Sequence, residues 1–77
     1  MSILPMLRAT EVIRALKKAG FIEARRSGSH VQLRYPNNPR YRPTVAVHSK
    51  DLSRRVVYSI IKQAGLSVEE LLKLLGK

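Results

Sequence analysis

The feature that most constrains this chain is a hydrophobic period that changes twice. From Thr10 to Ala19 the apolar residues Val12, Ile13, Leu16 and Ala19 recur at helical spacing, with Arg14, Lys17 and Lys18 off the stripe. After Gly20 the period drops to two, and from Ser53 onward it becomes helical again. A helix, then strands, then helices must share one core.

Local signals set the expected boundaries. Thr10 is the predicted N-cap of the first helix, Glu11 suits the positive end of its dipole, and Gly20 ends it. Phe21 to Arg26 reads as a strand and Ser27-Gly28 as a turn. Ser29 to Tyr35 alternates, with Val31, Leu33 and Tyr35 on one face and His30, Gln32 and Arg34 on the other. Pro36 to Pro43 holds three prolines and two asparagines and reads as a loop. Thr44 to His48 alternates again, Val45 and Val47 sharing the core face.

Ser53 is placed to cap a helix that runs to Ala64, with Val56, Val57, Ile60, Ile61 and Ala64 apolar and Gly65 as its stop. Ser67-Val68-Glu69-Glu70 is a capping box, opening a short helix with Val68, Leu71, Leu72 and Leu75 apolar, up to Gly76. The predicted fold is α+β in the order α-β-β-β-α-α. Its three-stranded antiparallel sheet carries helices packed on one face and leaves the other open.

Composition narrows the function. The chain has 77 residues, 44% of them hydrophobic, enough for one domain spanning residues 1–77. It has no cysteine, which excludes a disulfide scaffold, a thiolate zinc site and a cysteine nucleophile. No apolar run approaches the ~20 residues of a membrane span. The opening residues Met1 to Leu7 lack the basic start of a signal peptide. A cytoplasmic protein without a membrane partner is expected. Fifteen Lys and Arg against five Asp and Glu give +10, a charge that favours polyanions.

Both histidines of the chain, His30 and His48, fall on the open sheet face. In an antiparallel pairing whose residue numbers add to 78 they stand opposite, with Cβ atoms about 5 Å apart. A sum of 76 or 80 leaves them diagonal, and the loop length does not choose. Histidine, with an ordinary pKa of about 6.5, both takes and gives protons near neutrality. RNA carries its own nucleophile, the 2′-hydroxyl. Cleavage then needs a base for that hydroxyl, an acid for the leaving 5′-oxygen, and cations for the phosphorane charge. Two ordinary exposed histidines fit the same spacing.

Metal chemistry is not expected, because two histidines and Asp51 make a poor ligand set, and no cofactor is implied. Ser27, Ser29 and Ser49 lie near the histidines in sequence without an acid placed to complete a triad. Tyr41, between Arg40 and Arg42, either stacks on a base or belongs to a solvated loop. Arg54 and Arg55 stand in a first helical turn, where cations are unfavourable unless an anion is bound there or solvent screens them.

Four blocks make the chain resemble one family. They are Lys18-Ala19-Gly20-Phe21, Gly28-Ser29-His30-Val31-Gln32, the run from Val45 to Leu52, and the helix end Lys62-Gln63-Ala64-Gly65-Leu66. In this order and spacing they resemble the HicA-type toxins of prokaryotic toxin–antitoxin systems, over about residues 8–72. The resemblance implies a fold like a double-stranded-RNA-binding domain. It implies a ribonuclease that cleaves mRNA and blocks translation; whether the mRNA must be ribosome-associated stays open. It also implies neutralisation by a cognate HicB-type antitoxin. The family's catalytic histidine is that of Gly-Ser-His, here His30. Many members carry a second histidine directly after it; this chain has Val31, a core-face position. Residues 1–7 form a leader outside the resemblance.

The expected site therefore has His30 as the acid–base residue and His48 as a second proton-transfer or phosphate group. Gly28 shapes the turn and Ser29 orients substrate, while Arg26, Arg34, Lys50, Arg54 and Arg55 neutralise phosphates. Between Arg25 and Arg55 lie eight basic residues and one acid, a net +7. A non-catalytic RNA-binding module, or a basic structural partner of the ribosome, would need that charge without the histidine.

Overall fold

A computed structural model describes residues 4–47 and 51–76. The chain runs α1 (Ala9–Lys18), β1 (Ile22–Ser27), β2 (His30–Arg34), β3 (Thr44–Ala46), α2 (Arg54–Ala64) and α3 (Val68–Leu74). The sheet is antiparallel in the order β1-β2-β3. This is the predicted α-β-β-β-α-α order.

The first helix begins earlier than expected. Arg8 occupies the N-cap, and Thr10 lies inside the first turn. The reason is Glu11, whose carboxylate accepts the Arg8 amide at 3.0 Å, while the Arg8 carbonyl accepts the amides of Glu11 and Val12. A carboxylate there also meets the positive end of the helix dipole. The other two caps form as predicted. The Ser53 hydroxyl accepts the Val56 amide, and Ser67 and Glu70 exchange reciprocal bonds of 3.1 and 2.9 Å.

Helices cover one side of the sheet. Val31, Leu33 and Val45 are fully buried in one cluster with Val12 and Leu16 of α1, Val57, Ile60 and Ile61 of α2, and Leu71 of α3. Each such side chain contributes roughly 1.5–3 kcal/mol by leaving water. Val47 and Tyr35 reach this core but are only half-buried, and Val56, assigned to the apolar stripe, is 41% exposed. The buried stripe of α2 is Val57, Ile60, Ile61 and Ala64, and Val56 lies off its edge.

Two residues of the leader belong to the core. Leu4 and Leu7 are fully buried. Leu7 forms an isolated antiparallel bridge with Leu52, whose amide donates to the Leu7 carbonyl at 2.7 Å. The Arg54 Nε donates to the Leu4 carbonyl at 2.6 Å.

The β2–β3 register is the 76 alternative, pairing His30 with Ala46, Val31 with Val45 and Gln32 with Thr44. The pairing that adds to 78 does not occur. The connection explains why. Asn38 and Tyr35 close a turn, and the bonding continues past the Gln32–Thr44 pair with Leu33 N–H to the Pro43 carbonyl and Tyr35 N–H to the Tyr41 carbonyl. These bonds pin the register from inside a segment that composition marks only as loop. At the other end, the Val47 amide donates to the Ser29 carbonyl at 2.6 Å. β3 itself stops at Ala46. His48, Ser49 and Lys50 lie outside the described residues.

Candidate nucleic-acid interface on the open sheet face

Three rows of side chains make up the uncovered face. Residues opposite one another in an antiparallel pair share a face. The first row is Ser27, His30 and Ala46, the second Arg25, Gln32 and Thr44, and the third Ile22 and Arg34. His30 is exposed at the start of β2, so Arg25 and Gln32 stand one row away, about 7 Å along the strand, and Arg34 two rows away, about 13 Å.

A two-residue hairpin presents His30. Ser27 pairs with His30, leaving Gly28 and Ser29 as the turn. Gly28 takes φ +58, and no non-glycine described residue has positive φ. A left-handed first central residue followed by an ordinary second is the type II′ pattern, which matches strand twist. No atom lies within 4 Å of where a Gly28 Cβ would be, so the backbone angle alone calls for glycine. Ser29 is half-buried, its carbonyl committed to Val47.

The expected cations separate into groups. Arg34 lies on the open face. Arg26 lies opposite Val31 on the helix side, and its Nε donates to the Glu23 carboxylate at 3.0 Å. Glu23 also meets Lys17 of α1 at 3.7 Å. Arg25, which the sequence reading left out of the site, holds the open-face position instead. The two-residue turn would have revealed it, since parity counted back from His30 puts Ser27 and Arg25 on its side. Arg54 and Arg55 are carried by a helix of the other layer, and Arg54 is engaged by Leu4. Lys50 and His48 fall outside the described residues.

Two further findings bear on chemistry. Among the described residues, no three His, Cys, Asp or Glu side chains gather to hold a metal ion. Among them also, no helix is long and apolar enough to cross a membrane.

A small basic α+β domain that sets a histidine among arginines on an uncovered sheet presents a surface suited to anionic polymers. The family described as HicA toxin of bacterial toxin-antitoxin matches residues 9–66, and the chain belongs to that family. It is the toxin partner of such a pair, and a cognate antitoxin is its counterpart. Leu4 and Leu7 precede the matched span yet fill this chain's core. No curated protein matches the chain.

Proposed function

We propose that the protein is a metal-independent endoribonuclease that cleaves single-stranded mRNA in the cytoplasm and so blocks translation, with His30 transferring the proton. The observation that carries this is the exposed placement of His30 at the tip of a Gly-Ser-His hairpin, beside Arg25 and Gln32. His30 accepts the 2′-hydroxyl proton, and the 2′-oxygen attacks the adjacent phosphorus. The bond from phosphorus to the 5′-oxygen breaks, and that oxygen leaves with the proton that His30 gives back. The products are a 2′,3′-cyclic phosphate and a 5′-hydroxyl.

Arg25, one row from His30, offsets the charge of the phosphorane, and Arg34, two rows away, meets a neighbouring phosphate of the strand on the same face. Arg55, on α2 of the helix layer, together with Lys50 and His48, supplies cations for more distant phosphates. Arg26 joins them only by leaving Glu23, and Arg54 by leaving Leu4. A HicB-type antitoxin that covered the open face would silence the enzyme.

The test is expression of wild type and His30→Ala without antitoxin, with mRNA integrity and growth followed. Wild type degrades mRNA and arrests growth, and His30→Ala does neither. Equal arrest and equal degradation by both would falsify the assignment. RNA binding that is steeply salt-dependent, without cleavage by purified wild type, would instead mark a non-catalytic binding module.

A further inference from the structure

A cleft of about 480 Å³ opens at the far end of β2 from His30. The buried side chains Phe21 and Ala64 form its floor, and the half-buried Tyr35, Tyr41, Leu66 and Leu74 its sides. The tyrosines are held in place. Tyr35 packs on Phe21 with ring centroids 5.2 Å apart, and Tyr41 lies against Gly65, where a Cβ would fall 2.7 Å from its ring. Pre-set aromatic walls of this kind recognise a flat ligand at little entropic cost.

The rim is cationic. Lys73 lines it, and Lys18 reaches it by donating to the Leu74 carbonyl at 3.4 Å. Exposed Arg40 and Arg42 flank Tyr41. The one acid of the lining, Glu70, is occupied with the Ser67 amide. A nucleotide is flat, aromatic and anionic at once, which an acidic peptide is not.

We propose that this cleft is a base-binding subsite for single-stranded RNA, in which one nucleobase stacks on Tyr41 and Tyr35 and its phosphate meets Lys73 and Arg42. The subsite rests on the reading of RNA as the ligand, but not on cleavage by His30. It stands about 17 Å along β2 from that residue, so it holds a nucleotide away from the scissile bond.

The experiment uses His30→Ala protein, which separates binding from cutting. Titration with AMP and with UMP, followed by amide chemical shifts, should move residues 19–21, 35, 41, 64–66 and 70–74. Binding of a mixed-sequence eight-nucleotide RNA should weaken about tenfold in Tyr41→Leu and be retained in Tyr41→Phe. Lys73→Glu, in the last turn of α3, should weaken it while the domain still melts cooperatively, with only the small drop that an anion at a helix C-terminus brings. Shifts confined to the sheet face around His30, or unchanged RNA affinity in Tyr41→Leu and Lys73→Glu, overturn the proposal. So does loss of antitoxin binding with RNA binding intact, which makes the cleft a protein-docking slot. Absence of cleavage by wild type with nucleotide binding preserved overturns the ribonuclease reading and leaves this one standing.

Discussion

The Arg54 Nε donates to the backbone carbonyl of Leu4 at 2.6 Å, across fifty positions of chain. The guanidinium ties the segment before α1 to the start of α2, and Leu4 and Leu7 fill the core beneath it. Leu4→Ala should therefore cost about 2–4 kcal/mol in urea unfolding. A loss under ~0.5 kcal/mol, the size of an ordinary surface change, would remove the segment from the core. Arg54→Ala should cost about 1 kcal/mol, and Arg55→Ala essentially nothing. RNA affinity should fall for Arg55→Ala without any change in melting temperature.

Two glycines with left-handed backbones should respond differently to alanine. Gly28 has φ +58 with open space around it, so Gly28→Ala carries only the backbone penalty, about 1–3 kcal/mol. Gly65 has φ +71 and the Tyr41 ring against it. Gly65→Ala adds a clash of about 1–3 kcal/mol, and its melting temperature should drop well below that of Gly28→Ala. Equal melts would mean that the ring moves aside freely.

Neighbouring arginines should separate in RNA binding. Arg25→Ala removes an open-face cation and should reduce the salt slope of single-stranded RNA binding by about 0.7. Arg26→Ala breaks a surface pair with Glu23, typically worth about 0.2–1 kcal/mol, and should leave the slope unchanged. A reversed order of the two slopes would place the RNA on the helix side.

The outer edge of β3 is closed by a helix side chain, Gln63, whose Oε1 accepts the Thr44 amide at 3.2 Å. Gln63→Ala should cost about 0.5–1.5 kcal/mol and speed hydrogen exchange at Thr44. Unchanged exchange there would show that the bond does not persist in solution.

Element order, most of the core and two of three helix caps were legible because each follows from local pattern. Val31, Leu33 and Val45 declare their face by alternation, and Ser67 with Glu70 declares a helix start by spacing. What escaped depends on partners distant in sequence. Leu4 and Leu7 look like a short apolar leader until Leu52 and Arg54 meet them. The 76 register was one of three open choices, decided by backbone bonds inside a proline-rich loop. His30 was placed correctly on the open face, but its cationic neighbours were not. Counting faces forward from the buried Phe21 gives Arg26 to the open side; counting back from the turn gives Arg25. The two counts disagree because the β1–β2 pairing slips between Glu23 and Arg25.

That slip leaves Ala24 without an opposite residue, and it sets how positive a surface is. In an unbroken ladder counted from the turn, Ala24 would oppose Leu33 and Glu23 would oppose Arg34. The one carboxylate of the sheet would then neutralise an arginine on the side that presents His30. The extra residue acts as a phase shift that sends Glu23 to Lys17 and Arg26 instead. The face left behind carries cations unopposed by any acid among the described residues of the three strands. One alanine with no side-chain chemistry of its own thus leaves both arginines of that face free to meet a phosphate chain.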